Sequence, residues 1–152
     1  MKSNPLTYEE ALYKSAAYCS QSEHCISELK NKLTQWSVTE SDQFKIIRYL
    51  KEEKYLDEKR FAFAYVKDKF RYNKWGKIKI RLELHQKRIE KELIEVALET
   101  IDLEEYKGMI IRLAKEKEKK LTYRNEYERK GKLYRFLAGK GFEMDVISKI
   151  IQ

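Results

Sequence analysis

The stretch Lys77-Ile78-Lys79-Ile80-Arg81-Leu82-Glu83-Leu84 decides the fold. Taken alone, its strict alternation of charged and aliphatic residues reads as a half-buried strand. Comparison within the chain reverses that reading. Ile80, Leu84, Ile89, Ile94 and Leu98 return 53 residues later as Leu133, Leu137, Phe142, Ile147 and Ile151. In the other direction, at an offset of 51, Leu29, Leu33 and Val38 match Ile80, Leu84 and Ile89. Leu29 and Leu33 lie in an amphipathic stretch of helical spacing, so Ile80 and Leu84 belong on a helix as well.

Three copies of roughly 50 residues imply stacked helical modules that bury their faces against neighbours, none having a sizeable core of its own. The expected modules are 8–53, 57–100 and 103–151, each with room for three helices of ordinary length. Helices are expected near 8–19, 21–36 and 41–53, then 57–72, 76–87 and 90–100, then 103–121, 125–138 and 143–151. Thr7-Tyr8-Glu9-Glu10 has the pattern of a capping box, Ser20-Gln21-Ser22-Glu23 repeats it at an expected second start, and Asp102-Leu103-Glu104-Glu105 marks a third. Gly139 and Gly141 are placed to end the penultimate helix.

Composition agrees. One Pro and five Gly in 152 residues are too few for the turns of a β-sandwich or barrel. No apolar run approaches the roughly 18 residues that span a bilayer. Met1 to Thr7 has no hydrophobic signal region, so a cytoplasmic protein with no membrane partner is expected. Charge is unevenly spread: residues 59–91 hold 12 basic and 3 acidic residues, whereas 1–58 and 92–152 are near balance. A concentrated excess of that kind builds a field that attracts polyanions or an acidic protein surface.

Tyr55-Leu56-Asp57-Glu58-Lys59-Arg60-Phe61-Ala62, followed by Tyr65-Val66 and then Gly76, Ile80, Glu83 and Leu84, resembles the signature of the RecX family. Ser22-Glu23 with Glu28-Leu29 and Leu33 is similar to that family's first repeat, and Gly141-Phe142 with Ile147 to its last. The resemblance runs over roughly residues 10–151. It implies an all-α fold of three tandem three-helix repeat modules in an elongated, curved array, acting as a monomer. It also implies a regulator that docks along the groove of the RecA recombinase filament on DNA and suppresses ATP hydrolysis, strand exchange and coprotease activity. Two departures concern turns: the family's Gly before Tyr-Leu is Lys54 here, and its Gly before Ile89 is Arg88. Those turns form without the residue that most easily adopts positive φ.

Asp57 suits an N-cap, with Phe61, Ala62, Tyr65 and Val66 on the buried face of the helix that follows. At 100° per residue, Arg60, Lys67, Arg71 and Lys74 fall within about a 60° arc opposite that face. Lys77, Arg81 and Arg88 make a second stripe beside Ile80 and Leu84. These seven are the candidate partner- or DNA-binding residues; phosphates or acidic side chains would suit them, and a merely solvated face is the alternative. Of the aromatics interleaved with them, most are expected in the core, and Tyr72 and Trp75 are the candidates for stacking on bases. Cys19, His24 and Cys25 lack a fourth ligand, so buried thiols and no metal are expected. No catalytic triad, glycine-rich phosphate loop or convergent carboxylate cluster occurs, so neither catalytic residues nor a cofactor is expected. The rival reading is a direct binder of single- or double-stranded DNA that uses the central basic face.

Overall fold

A computed structural model describes residues 5–152, and among these every regular element is helical. The helices are α1 (Tyr8–Gln21), α2 (Ile26–Gln35), α3 (Glu40–Glu52), α4 (Glu58–Arg71), α5 (Lys77–Gln86), α6 (Lys91–Leu98), α7 (Leu103–Glu118), α8 (Glu126–Gly139) and α9 (Met144–Ile150). They pack in successive triplets, α1–α3, α4–α6 and α7–α9.

The alternating stretch is helix α5. Ile80 and Leu84 point into the core, while Ile78 and Leu82, one turn apart on another face, stay exposed. The alternation therefore records two apolar pairs on different sides of one helix. The capping box at Thr7 forms, with Thr7 Oγ1 accepting from Glu10 N at 3.2 Å and Glu10 Oε1 accepting from Thr7 N at 3.4 Å. Asp102 likewise caps α7, accepting from Glu105 N at 3.0 Å. The start expected at Ser20 does not form. There α1 continues to Gln21, with Ser20 Oγ donating to Ala16 O at 2.7 Å, and α2 begins only at Ile26 behind Cys25. The Glu28 carboxylate accepts from Cys25 N at 3.2 Å, a satisfied amide that Ser20-Gln21-Ser22-Glu23 had no part in.

The middle helix of each triplet ends in the same way. Ser37 (φ 59°), Arg88 (φ 63°) and Gly141 (φ 96°) occupy left-handed positions at the 51- and 53-residue offsets. After them Val38, Ile89 and Phe142 donate back to Leu33, Leu84 and Leu137 at 3.0, 3.1 and 3.2 Å, the six-to-one bond of a Schellman motif. Gly139 is the last residue of α8, as its position suggested.

Middle helices also meet head to tail. The amides that open α5 are capped by the end of α8, with Gly76 N donating to Lys140 O at 2.8 Å and Ile78 N to Gly141 O at 2.9 Å. At the preceding junction Ser27 Oγ donates to Lys87 O at 2.8 Å, and Lys87 is the counterpart of Lys140. Burial departs from the expectation that no copy has a core of its own. The first triplet closes a core of Ala11, Leu29, Leu33, Ile46, Leu50 and Leu56, whereas the second and third share one continuous core. Tyr106 of α7 joins those two, its ring 5.7 Å from Phe70 and 5.4 Å from Phe142 between centroids. Its hydroxyl accepts from Lys77 N at 2.9 Å and donates to Glu143.

Candidate interaction surface

Helix α4 starts where its sequence says it should, Asp57 Oδ1 accepting from Arg60 N at 3.0 Å. Phe61, Ala62, Val66 and Phe70 are buried and Tyr65 is half-buried. The basic residues opposite are not one free ridge. Arg60 reaches back to the first triplet, donating to Glu23 at 2.5 Å and to the carbonyls of Lys54 and Tyr55 at 3.1 and 3.4 Å. It thereby satisfies carbonyls just past the end of α3 and ties two triplets together. Arg71 leans the other way, 3.3 Å from Glu105 of α7. Because α4 stops at Arg71 and Lys74 has φ 59°, Lys74 leaves the helical arc that the spacing assigned to it. Lys67 is exposed and makes no ion pair among those found in the described residues.

The second stripe divides in the same fashion. Arg81 is held by Glu95 at 2.9 Å within the central triplet. Lys77 lies with its Nζ 5.0 Å from the centre of the Tyr106 ring. Arg88 is exposed on its left-handed turn. Beside it Lys87, which the motif reading passed over, pairs with Glu28 at 2.9 Å across the first junction. Burial pushes the Glu28 carboxyl up, but hydrogen bonds from Lys87, His24 and Cys25 N outweigh it and hold the group below its ordinary range. The two stacking candidates also separate. Tyr72 is exposed, whereas Trp75 is half-buried against the core with Lys69 and Lys79 Nζ 5.0 and 4.5 Å from its ring.

Cys19 and Cys25 are buried free thiols, and burial pushes Cys19 up to about 11. The His24 ring stacks on Tyr18 at 3.7 Å and bonds Glu28 at 3.1 Å. Among the described residues no group of three or more His, Cys, Asp or Glu is placed to hold a metal ion, and no helix is long and apolar enough to cross a membrane.

A concave surface that motif reading missed lies between the first and central triplets. It is an open groove of about 1040 Å³ whose cations are Lys30, Lys51, Lys54, Lys59 and Arg88. Two of its three acids are already engaged: Asp57 caps α4, and Glu58 accepts from Ile26 N at 3.4 Å.

Two family models match the chain, described as RecX, second three-helix domain, over residues 57–98, and RecX, third three-helix domain, over residues 110–151. Together they cover more than half of it. The chain belongs to the RecX family. Among curated relatives, Regulatory protein RecX of Clostridium botulinum (strain Eklund 17B / Type B) is 37% identical over 127 residues, 82% of this chain and 59% of that protein. The RecX of Leuconostoc mesenteroides is 31% identical over 144 residues, 93% of this chain and 53% of that protein. The chain thus spans little more than half the length of the curated relatives it matches. The crystal structure of RecX from Lactobacillus salivarius superposes with a TM-score of 0.86 at 23% identity, over 95% of this chain and 94% of that one, which establishes a shared RecX fold. The matched segment 57–98 opens on the Asp57 cap and takes in all of α4, α5 and α6.

Proposed function

We propose that this RecX-family chain is a non-catalytic regulator of the RecA recombinase, binding the RecA–DNA filament in the cytoplasm and restraining ATP hydrolysis, strand exchange and coprotease activity. The observation that carries this reading is the match of two consecutive RecX three-helix domains to a segment that includes the basic residues 59–91. A filament presents DNA phosphates and acidic side chains together, and a cationic surface suits both. With Arg60, Arg71 and Arg81 tied into ion pairs, the contacts on the central triplet are assigned to Lys67, Lys74, Lys77 and Arg88, with Tyr72 beside them. The test is RecA ATPase on single-stranded DNA titrated with the chain, in wild-type form and as Lys67→Glu. Wild type should lower the rate at substoichiometric ratios to RecA, and the variant should require several-fold more protein. A rate unaffected by wild-type protein would refute the reading. The concentrated positive charge favours a second reading, in which DNA is bound without recombinase; that binding would weaken steeply with salt for any DNA sequence.

A further inference from the structure

From the groove between the first and central triplets we infer a binding site for the phosphodiester backbone of a nucleic acid, with Lys54 and Arg88 as its principal contacts. The strongest observation is conformational. Lys54 and Arg88 both sit at φ 63°, in the left-handed region that penalises any residue carrying a Cβ and that glycine enters freely. Ser37 and Lys74 share that conformation without lining the groove, so it is strain and charge together at this one surface that single out Lys54 and Arg88. Here both are cations, and both line one groove although they lie on different triplets.

Their surroundings point to phosphate. Lys30, Lys51 and Lys59 complete the cationic lining, and none of the five takes part in an ion pair among those found in the described residues. That separates them from Arg60 and Lys87 nearby, whose charges are spent on Glu23 and Glu28. An acidic peptide would also need apolar anchors, since binding energy between proteins concentrates in a few desolvated large side chains. The groove offers little of that kind: Leu56 is buried, Ile26 and Leu93 are half-buried, and no aromatic residue lines it. Lysine ammoniums and one guanidinium are sufficient for a phosphodiester chain. Without an aromatic platform the bases have nothing to stack on, so binding at this groove is independent of sequence.

Arg88 also serves the regulatory reading, but binding of a bare oligonucleotide needs no recombinase and so tests the groove separately. Fluorescence anisotropy of a labelled 20-nucleotide oligothymidylate is measured against salt for wild type and for Lys54→Gly/Arg88→Gly. Glycine removes both cations and relieves both turns, so the double variant should melt at or above the wild-type temperature. Its affinity should fall, and its log–log salt slope should flatten by about 1.4, the value for two lost contacts on a single strand. Lys30→Gln/Lys51→Gln, which leaves both turns untouched, should weaken binding in the same direction. Wild-type binding that neither double variant weakens would overturn the assignment, as would failure of wild type to bind at low salt. So would loss of ATPase inhibition by the glycine variant with its oligothymidylate affinity intact, which would make the groove a protein-docking surface.

Discussion

Substituting Gly76 by Ala should break the junction between the central and third triplets. An ideal Cβ at Gly76 would stand 2.3 Å from Gly141 C and O and 2.4 Å from Phe142 N, all of them backbone atoms that cannot rotate away. Gly76 is the N-cap of α5 with an ordinary φ of −80°, so the main penalty is steric contact and no backbone strain adds to it. Ordinary van der Waals separation begins near 3.4 Å, so the strands of chain must part by about 1 Å. That movement stretches the bonds from Gly76 N to Lys140 O at 2.8 Å and from Ile78 N to Gly141 O at 2.9 Å beyond useful length. Two hydrogen bonds at about 0.5–1.5 kcal/mol each, with about 1–3 kcal/mol for overpacking, give a destabilisation of about 2–6 kcal/mol. Thermal unfolding followed by circular dichroism should show a midpoint lower by at least about 4 °C. Gly108→Ala is the internal control. It lies within α7 with no atom of the described residues inside 4 Å of its Cβ, so it should gain about 0.8–1 kcal/mol from helix propensity and melt higher. Opposite signs for two Gly→Ala changes in one chain are the signature of the junction. A Gly76→Ala variant melting within about 1 °C of wild type would refute the backbone-to-backbone capping of α5 by the end of α8.

Leu84→Ala, at a fully buried position of α5, should lose about 2–5 kcal/mol in urea unfolding; a loss below 1 kcal/mol would deny it a core role. Burial, reinforced by the hydrogen bond to Glu143, raises the Tyr106 hydroxyl above its ordinary value near 10, so the folded state keeps its proton after the unfolded chain has released it. Its contribution to stability is therefore complete below pH 10 and falls above it, by up to about 1.4 kcal/mol per pH unit, and Tyr106→Phe should remove that part of the slope from urea titrations. With Cys19 pushed up to about 11 and both thiols buried, the native protein should react with a disulfide reagent far more slowly than the urea-unfolded chain; rapid labelling of two thiols in the native state would contradict that burial.

The parts of the fold that were legible in the sequence are those set by local spacing. The offsets that align Leu33, Leu84 and Leu137 place three equivalent residues with no measurable exposure, and Thr7, Asp57 and Asp102 cap the helices they precede. The start of α2 was not legible because Cys25 is not a capping type; its amide is satisfied by Glu28, and Ser20 spends its hydroxyl on Ala16 instead. The candidate surface was harder to read, for a physical reason that the arginines make plain. Helical periodicity reports which residues share a face, and it put Arg60, Arg71 and Lys74 together. What each does depends on partners far along the chain: Glu23, 37 residues before Arg60, and Glu105 on the next triplet from Arg71. The groove escaped for the same reason, since its walls come from residues between Ile26 and Leu93 and no window holds them all.

One local signal for the groove was nevertheless present. Lys54 and Arg88 stand where the sequence resemblance led glycine to be expected, and the turns they occupy in this chain are left-handed. Lys74 combines a cation with the same conformation and lies outside the groove, so the signal does not locate the site by itself. Ser37 shows why that signal needs the structure to be interpreted. It has the same conformation at the equivalent turn of the first triplet, yet it brings no charge and lines no part of the groove. Strain alone thus identifies the repeated turn. Strain together with charge, converging on one concave surface from two triplets, is what separates Lys54 and Arg88 from a feature of the repeat.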